Sequence, residues 1–120
     1  MSSSPPSQLK VLYHLHPNLD TLDFTGPLEI LSHATFESAA STPPSPSPNR
    51  VFIPTITAVS ELTTTSQNLT LSRDIDIPTA YANLADFDVL AIPGGGSPGV
   101  LEGKTEPLGL IKAFAELPKR

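Results

Sequence analysis

Two short, nearly continuous apolar runs constrain the fold of this chain most strongly. They cover residues 9–15 and residues 87–92, and each is followed by a turn and then by a segment with helical spacing of its apolar residues. Such a run is typical of a strand that helices cover on both faces, as in a parallel sheet. The sequence therefore predicts an α/β domain with a mainly parallel sheet and flanking helices.

The first run is followed by a predicted helix. Residues 22–31 read Leu-Asp-Phe-Thr-Gly-Pro-Leu-Glu-Ile-Leu. This order places Asp23 at the strand exit, Thr25 at the helix N-cap and Pro27 in the first turn, where its missing N–H costs nothing. Leu22 is expected to anchor the connection to the core. The predicted buried stripe of the helix consists of Leu28, Ile30, Leu31, Ala34 and Phe36.

The middle and the end of the chain predict shorter elements. Residues 51–59 resemble a strand that Pro54 interrupts, which favours a kinked or edge strand. The Thr- and Ser-rich residues 61–77 predict short antiparallel strands or a β-ribbon, and residues 78–85 about one helical turn. Residues 107–117 predict a second amphipathic helix.

Two segments have compositions that oppose regular structure. Residues 1–8 are expected to be a disordered tail, and residues 42–49, a proline-rich stretch, a surface loop. Binding of this loop to an SH3-like or WW-like partner is an alternative. A length of 120 residues corresponds to one domain, which we place at residues 9–120.

Charge and composition exclude several classes of function. The net charge of −5 opposes binding to nucleic acid or to an anionic membrane, and no apolar stretch is long enough for a signal or membrane segment. We therefore expect a cytoplasmic protein. The sequence contains no cysteine, which excludes disulfides, thiolate metal sites and a cysteine nucleophile in this polypeptide. No nucleotide-binding motif is present, and we expect no cofactor.

Asp23 and the glycine turn, which we define as Gly94, Gly95 and Gly96, form the candidate site. In a parallel sheet both follow strands and lie at the carboxyl edge, where ligands bind. A carboxylate there can act as a general acid or base, and glycine N–H groups can stabilise an oxyanion. Taken separately, Asp23 also fits a capping or turn residue, and the glycines also fit a flexible turn.

The three histidines offer a weaker candidate. His14 and His16 alternate along the first predicted strand and so share a face, while His33 lies on the first helix. Asp23 with two histidines is conceivable as a metal site, but no third ligand has a spacing that fixes it. We predict structural or surface roles for these histidines and no metal site.

Three segments together resemble the ThiJ/PfpI superfamily, which has a glutamine amidotransferase-like fold. They are residues 22–31, the Thr-rich residues 63–72, and residues 87–96, which read Phe-Asp-Val-Leu-Ala-Ile-Pro-Gly-Gly-Gly. The chain is most similar to the isocyanide hydratase-like branch, and the resemblance extends from residue 9 to the end. It implies a flavodoxin-like fold, a homodimer and a reactive cysteine on a strained turn between a strand and a helix.

The resemblance also implies roles for individual residues. Asp23 corresponds to the acid that hydrogen-bonds the reactive cysteine and transfers a proton when water adds to an isocyanide. Gly95, with Gly96 beside it, corresponds to the glycine whose N–H helps to form the oxyanion hole. A small-molecule substrate is implied, and no cofactor.

The chain departs from this family in lacking the cysteine. In the family, the cysteine follows the helix that corresponds here to residues 107–117, so we expect the N-terminal part of the domain and an incomplete fold. Three hypotheses remain: a hydratase completed by another chain or by a missing segment, a non-catalytic half-domain that oligomerises and binds a partner or small molecule, and a truncated remnant. We do not expect turnover by these 120 residues alone.

Overall fold

The computed structural model describes residues 7–36, 49–96 and 106–118. Most of the predicted tail and of the proline-rich loop, residues 1–6 and 42–48, lies outside these ranges. In chain order the elements are β1 (Leu9–Leu15), α1 (Thr21–Ser32), β2 (Phe52–Ala58), β3 (Leu62–Thr64), β4 (Thr70–Ser72), α2 (Ile77–Ala82), a 3₁₀ turn (Leu84–Asp86), β5 (Val89–Ala91) and α3 (Leu108–Ala115).

A three-stranded parallel sheet in the order β2-β1-β5 forms the centre of the fold. β1 pairs with β2 from Leu9 opposite Phe52 to Leu15 opposite Ala58, and it pairs with β5 over three residues. β3 and β4 form a separate antiparallel ribbon. The α/β class, the parallel sheet with flanking helices and the β-ribbon are thus confirmed.

β1 is buried on both faces, as its apolar run predicts. Val11, Tyr13 and Leu15 pack in one cluster with Phe24 of α1. Leu12 alternates to the other face and packs against Leu84 and Leu110, beside α2 and α3. Because successive side chains of a strand point to opposite faces, the run has to be apolar at nearly every position.

The two neighbours of β1 are less buried than β1 itself. β2 lies at one edge of the sheet, where Pro54 has no N–H to contribute to a further strand, and its prediction as an edge strand is confirmed. The prediction of a buried strand over residues 87–92 was wrong in part. Only three of these residues form β5, and Val89 is 40% exposed because, within the described residues, β5 has a neighbour on one side only.

The first helix begins earlier than the sequence predicts. Its N-cap is Asp20 rather than Thr25, and Asp23 lies in the first turn. Pro27 is inside the helix, where it has no N–H for the carbonyl of Asp23. The reason is tertiary packing, since the Phe24 ring lies edge-on to the Tyr13 ring at 5.2 Å and only 2% of Phe24 is exposed.

This early start changes the buried stripe of α1. Phe24 and Leu28, one helical turn apart, face the core together. Leu22 and Ile30 lie on the other side and are 74% and 72% exposed, so their predicted burial was wrong. By contrast, α3 begins directly after Pro107, close to its predicted start, and buries Leu110.

Substitution of Thr25 tests where α1 begins. The Thr25 hydroxyl donates to the carbonyl of Thr21 within the helix and caps no N–H group. We expect Thr25→Ala to change the free energy of unfolding by less than about 0.5 kcal/mol, because alanine has the higher helix propensity. Urea denaturation measures this.

Asp76→Ala is the matched control, because the Asp76 side chain accepts a hydrogen bond from the Thr79 N–H as a true N-cap of α2. It should be the more destabilising of the two substitutions. A Thr25→Ala loss as large as that of Asp76→Ala would place the N-cap of α1 at Thr25 after all.

Candidate functional site

The candidate site lies where the carboxyl ends of β1 and β5 meet. β1 leads into a loop at residues 16–20 and then into α1, while β5 leads through Ile92 and Pro93 into the glycine turn. The Asp20 N–H, at the end of the β1 loop, donates to the Gly94 carbonyl at 3.0 Å. The two segments that the sequence places at one sheet edge are therefore in direct contact.

Asp23 approaches the glycine turn at Gly94. Its Oδ2 atom lies 2.7 Å from the position that a Cβ atom on Gly94 would occupy, so a larger residue at this position would require the carboxylate to move. The Asp23 side chain is exposed to solvent. A carboxylate in this position can exchange protons with water and with a small molecule that binds against the turn.

Gly95 and Gly96 have left-handed backbone conformations, with φ of 101° and 64°. A Cβ atom on Gly95 would collide with the backbone N of Asp20, and one on Gly96 would lie 3.2 Å from the Asn18 carbonyl oxygen. These two glycines thus pack against the β1 loop. Gly94, rather than Gly95 or Gly96, is the residue that lies against Asp23.

The β3–β4 ribbon holds the β1 loop in place. The Asn18 N–H donates to the Thr64 carbonyl at 3.1 Å, and the Ser66 N–H donates to the Leu19 carbonyl at 2.9 Å. The Thr21 hydroxyl, at the start of α1, donates to the Thr65 hydroxyl at 2.6 Å. The sequence predicts the ribbon, but it does not predict that the ribbon holds the β1 loop in place. The only signal of this role in the sequence is the large number of Thr and Ser residues in the ribbon.

His16, which directly follows β1, is hydrogen-bonded to the segment that follows β5. Its ring nitrogens lie 2.8 Å from the Pro93 carbonyl oxygen and 3.2 Å from the Pro17 carbonyl oxygen. The ring is 5% exposed. His16 therefore ties β1 to the segment that leads into the glycine turn, which agrees with its predicted structural role.

His14 lines a cavity of about 440 Å³ together with Leu15 and His16. Its ring is 1% exposed, and neither nitrogen has a hydrogen-bond partner among the described residues. Burial lowers the pKa of His14 from its usual 6.5 to about 4. His33, in contrast, is exposed and lies 3.9 Å from Glu29.

Two kinds of feature are absent from the described residues. No group of three or more His, Asp or Glu side chains is arranged to hold a metal ion there. None of the helices described is long and apolar enough to cross a membrane.

Comparison with family models and with curated protein sequences finds no relative. The function has to be inferred from the residues of the site.

Substitution of Gly95 tests the close contact between the glycine turn and the β1 loop. We expect Gly95→Ala to lower the free energy of unfolding by more than about 1–2 kcal/mol, because a left-handed conformation is costly for alanine and its Cβ would meet backbone atoms of Leu19 and Asp20. Gly26→Ala is the control, since a Cβ there meets only the Leu22 side chain at 3.5 Å. This helical substitution should stabilise the protein by about 1 kcal/mol. Equal effects of the two substitutions would contradict the described turn.

Burial of His14 predicts a pH dependence of stability. Between about pH 6.5 and pH 4 the unfolded chain binds a proton at His14 that the folded protein does not bind, so stability falls as the pH falls. The shift corresponds to a loss of roughly 2–3 kcal/mol across this range.

Urea denaturation of His14→Leu isolates this contribution from that of the carboxylates. As the pH falls from 7 to 4.5, the free energy of unfolding should decrease more in the unmodified protein than in the variant. The exposed His33 provides the control substitution, His33→Leu, which should track the unmodified protein. Parallel pH profiles for all three proteins would show that His14 titrates normally.

Proposed function

We propose that this chain is the N-terminal part of a ThiJ/PfpI-type domain and that Asp23 and the glycine turn are the proton-transfer and oxyanion parts of an isocyanide hydratase-like site. The observation that carries the proposal is the position of the Asp23 carboxylate against Gly94, at the carboxyl edge of a parallel sheet. Open α/β sheets bind their ligands at this edge.

The topology supports a flavodoxin-like fold for the complete domain. In that fold the parallel strands have the order 2-1-3-4-5, and a ligand binds where the order reverses, between strands 1 and 3. The parallel strands here follow the order β2-β1-β5, and the ligand edge lies between β1 and β5. The contact between the Asp23 segment and the glycine turn is at this switch point.

The chemistry of isocyanide hydration suits these groups. Addition of one water molecule to R–N≡C gives the formamide R–NH–CHO, so protons move from the water to carbon and nitrogen while an oxygen anion develops. A solvent-exposed carboxylate can accept and return these protons. Glycines lack a Cβ, so no side chain of the turn itself blocks the approach of a developing oxyanion to its backbone N–H groups.

The thiol that attacks the isocyanide has to come from another segment, because this sequence contains no cysteine. Among the described residues, β5 has no neighbouring strand on the side away from β1, and that segment could pair there. A further parallel strand paired there would bring its carboxyl end beside the glycine turn. A second copy of this chain would supply no cysteine, so a homodimer alone does not complete the site.

Activity of the natural protein tests the proposal. Its intact mass shows whether the chain continues beyond 12.7 kDa, and its purification shows whether a cysteine-bearing partner accompanies it. With that segment present, we expect conversion of an alkyl isocyanide to the formamide, followed by NMR. Asp23→Asn should lower kcat/KM at least about 100-fold, the usual contribution of a general acid or base.

Asp20→Asn is the matched control, because Asp20 is also exposed at this edge and its side chain caps no helix N–H. It should retain activity within a few-fold. Full activity of Asp23→Asn would remove Asp23 from the mechanism. A natural protein of 12.7 kDa without a cysteine-bearing partner would instead leave a non-catalytic half-domain.

A further inference from the structure

Leu22 and Leu69 are two apolar side chains that remain exposed beside Asp23. Leu22 precedes Asp23 in the first turn of α1 and is 74% exposed, and Leu69, in the turn between β3 and β4, is 42% exposed. Both line one open depression of about 680 Å³, and Asp23 lines it with them. Asp23 thus borders this depression as well as Gly94 of the glycine turn.

The depression has the dimensions of a small-molecule site and carries no positive charge. Ligand sites usually occupy roughly 300–1,000 Å³ and combine apolar walls with a few polar groups. No Lys or Arg of the described residues lines the depression, so no side chain there offsets the charge of the Asp23 carboxylate. An uncharged, apolar group therefore fits these walls, whereas Asp23 repels a ligand that carries a carboxylate.

Thr65 holds the two apolar walls at a fixed separation. Its hydroxyl oxygen accepts from the Thr21 hydroxyl, at the start of α1, at 2.6 Å and from the Leu69 N–H at 3.2 Å. Only 3% of Thr65 is exposed. In addition, the side-chain oxygen of Gln67 accepts from the Thr21 N–H at 2.8 Å. The walls are therefore ordered before a ligand binds, which lowers the entropy that binding costs.

We propose that the depression holds the R group of the isocyanide R–N≡C, and that Leu22 and Leu69 determine which R groups the site accepts. The inference rests on the proposed hydratase function, in which the isocyanide carbon reacts beside Asp23 and the glycine turn. Because Asp23 also lines the depression, an R group that extends from this point into it contacts the two leucines. The site then selects an uncharged alkyl or aryl group that is long enough to reach both walls.

Three isocyanides test this preference in the natural protein with its cysteine-bearing segment. They are methyl isocyanide, butyl isocyanide and 4-isocyanobutanoate, which carry a short, a longer apolar and a longer anionic R group. We expect kcat/KM for butyl isocyanide to exceed that for each of the other two at least tenfold. The reason is that only the butyl group removes apolar surface from water without bringing a negative charge toward Asp23.

Two variants test the residues. Leu22→Ala and Leu69→Ala should each lower kcat/KM for butyl isocyanide at least threefold more than kcat/KM for methyl isocyanide, because the methyl group is too short to contact the leucines. Ile30→Ala is the matched control, since Ile30 is also exposed on α1, at 72%, but does not line the depression. It should leave the ratio of the two values unchanged.

A titration of the unmodified protein with the product N-butylformamide needs no variant. The methyl NMR signals of Leu22 and Leu69 should move, and those of Ile30 should not. Unmoved Leu22 and Leu69 signals, or equal kcat/KM for the three isocyanides, would overturn the inference and leave the hydratase function in place. Absence of turnover with every isocyanide, although the cysteine-bearing segment is present, would overturn the hydratase function and the inference with it.

Discussion

The burial of β1 between two helical layers determines the position of everything else in this protein. The strand is the central member of the parallel sheet, and its alternating side chains pack against α1 on one face and beside α2 and α3 on the other. Because β1 is fixed from both faces, its carboxyl end is a rigid point of departure for the loop that leads to α1. The candidate site and the cavity that His14 lines both lie at that end.

The apolar runs and the proline and glycine positions were sufficient to predict the class of fold. An apolar run such as Leu9–Leu15 favours a strand that is buried on both faces, as β1 is over its last five residues, and Pro54 disfavours a central strand for local reasons. The start of α1 was not predictable in this way. Pro27 carries a strong local signal for a first turn, but packing of Phe24 on Tyr13 stabilises an earlier turn, and this contact depends on the folded sheet.

The candidate site, like the fold, could be predicted from the sequence only in part. That Asp23 and the glycine turn meet could be predicted, because parallel strands bring their carboxyl ends to one edge. It could not be predicted that Gly94 is the glycine that lies against Asp23. This depends on the left-handed conformations of Gly95 and Gly96 and on the hydrogen bond from the Asp20 N–H to the Gly94 carbonyl. The cavity that His14 lines could not be predicted either. Its wall includes Glu106, which is distant in sequence and is oriented by hydrogen bonds to Tyr81 and Leu110.

The glycine turn borders both the Asp23 carboxylate and the cavity that His14 lines. Gly94 lies against the exposed Asp23, whereas Gly96 lines the cavity that contains His14. Asp23 belongs to the first turn of α1, while the cavity is lined by consecutive residues at the end of β1, His14, Leu15 and His16. The glycine turn is therefore one short segment of backbone that lies between the Asp23 carboxylate and the cavity.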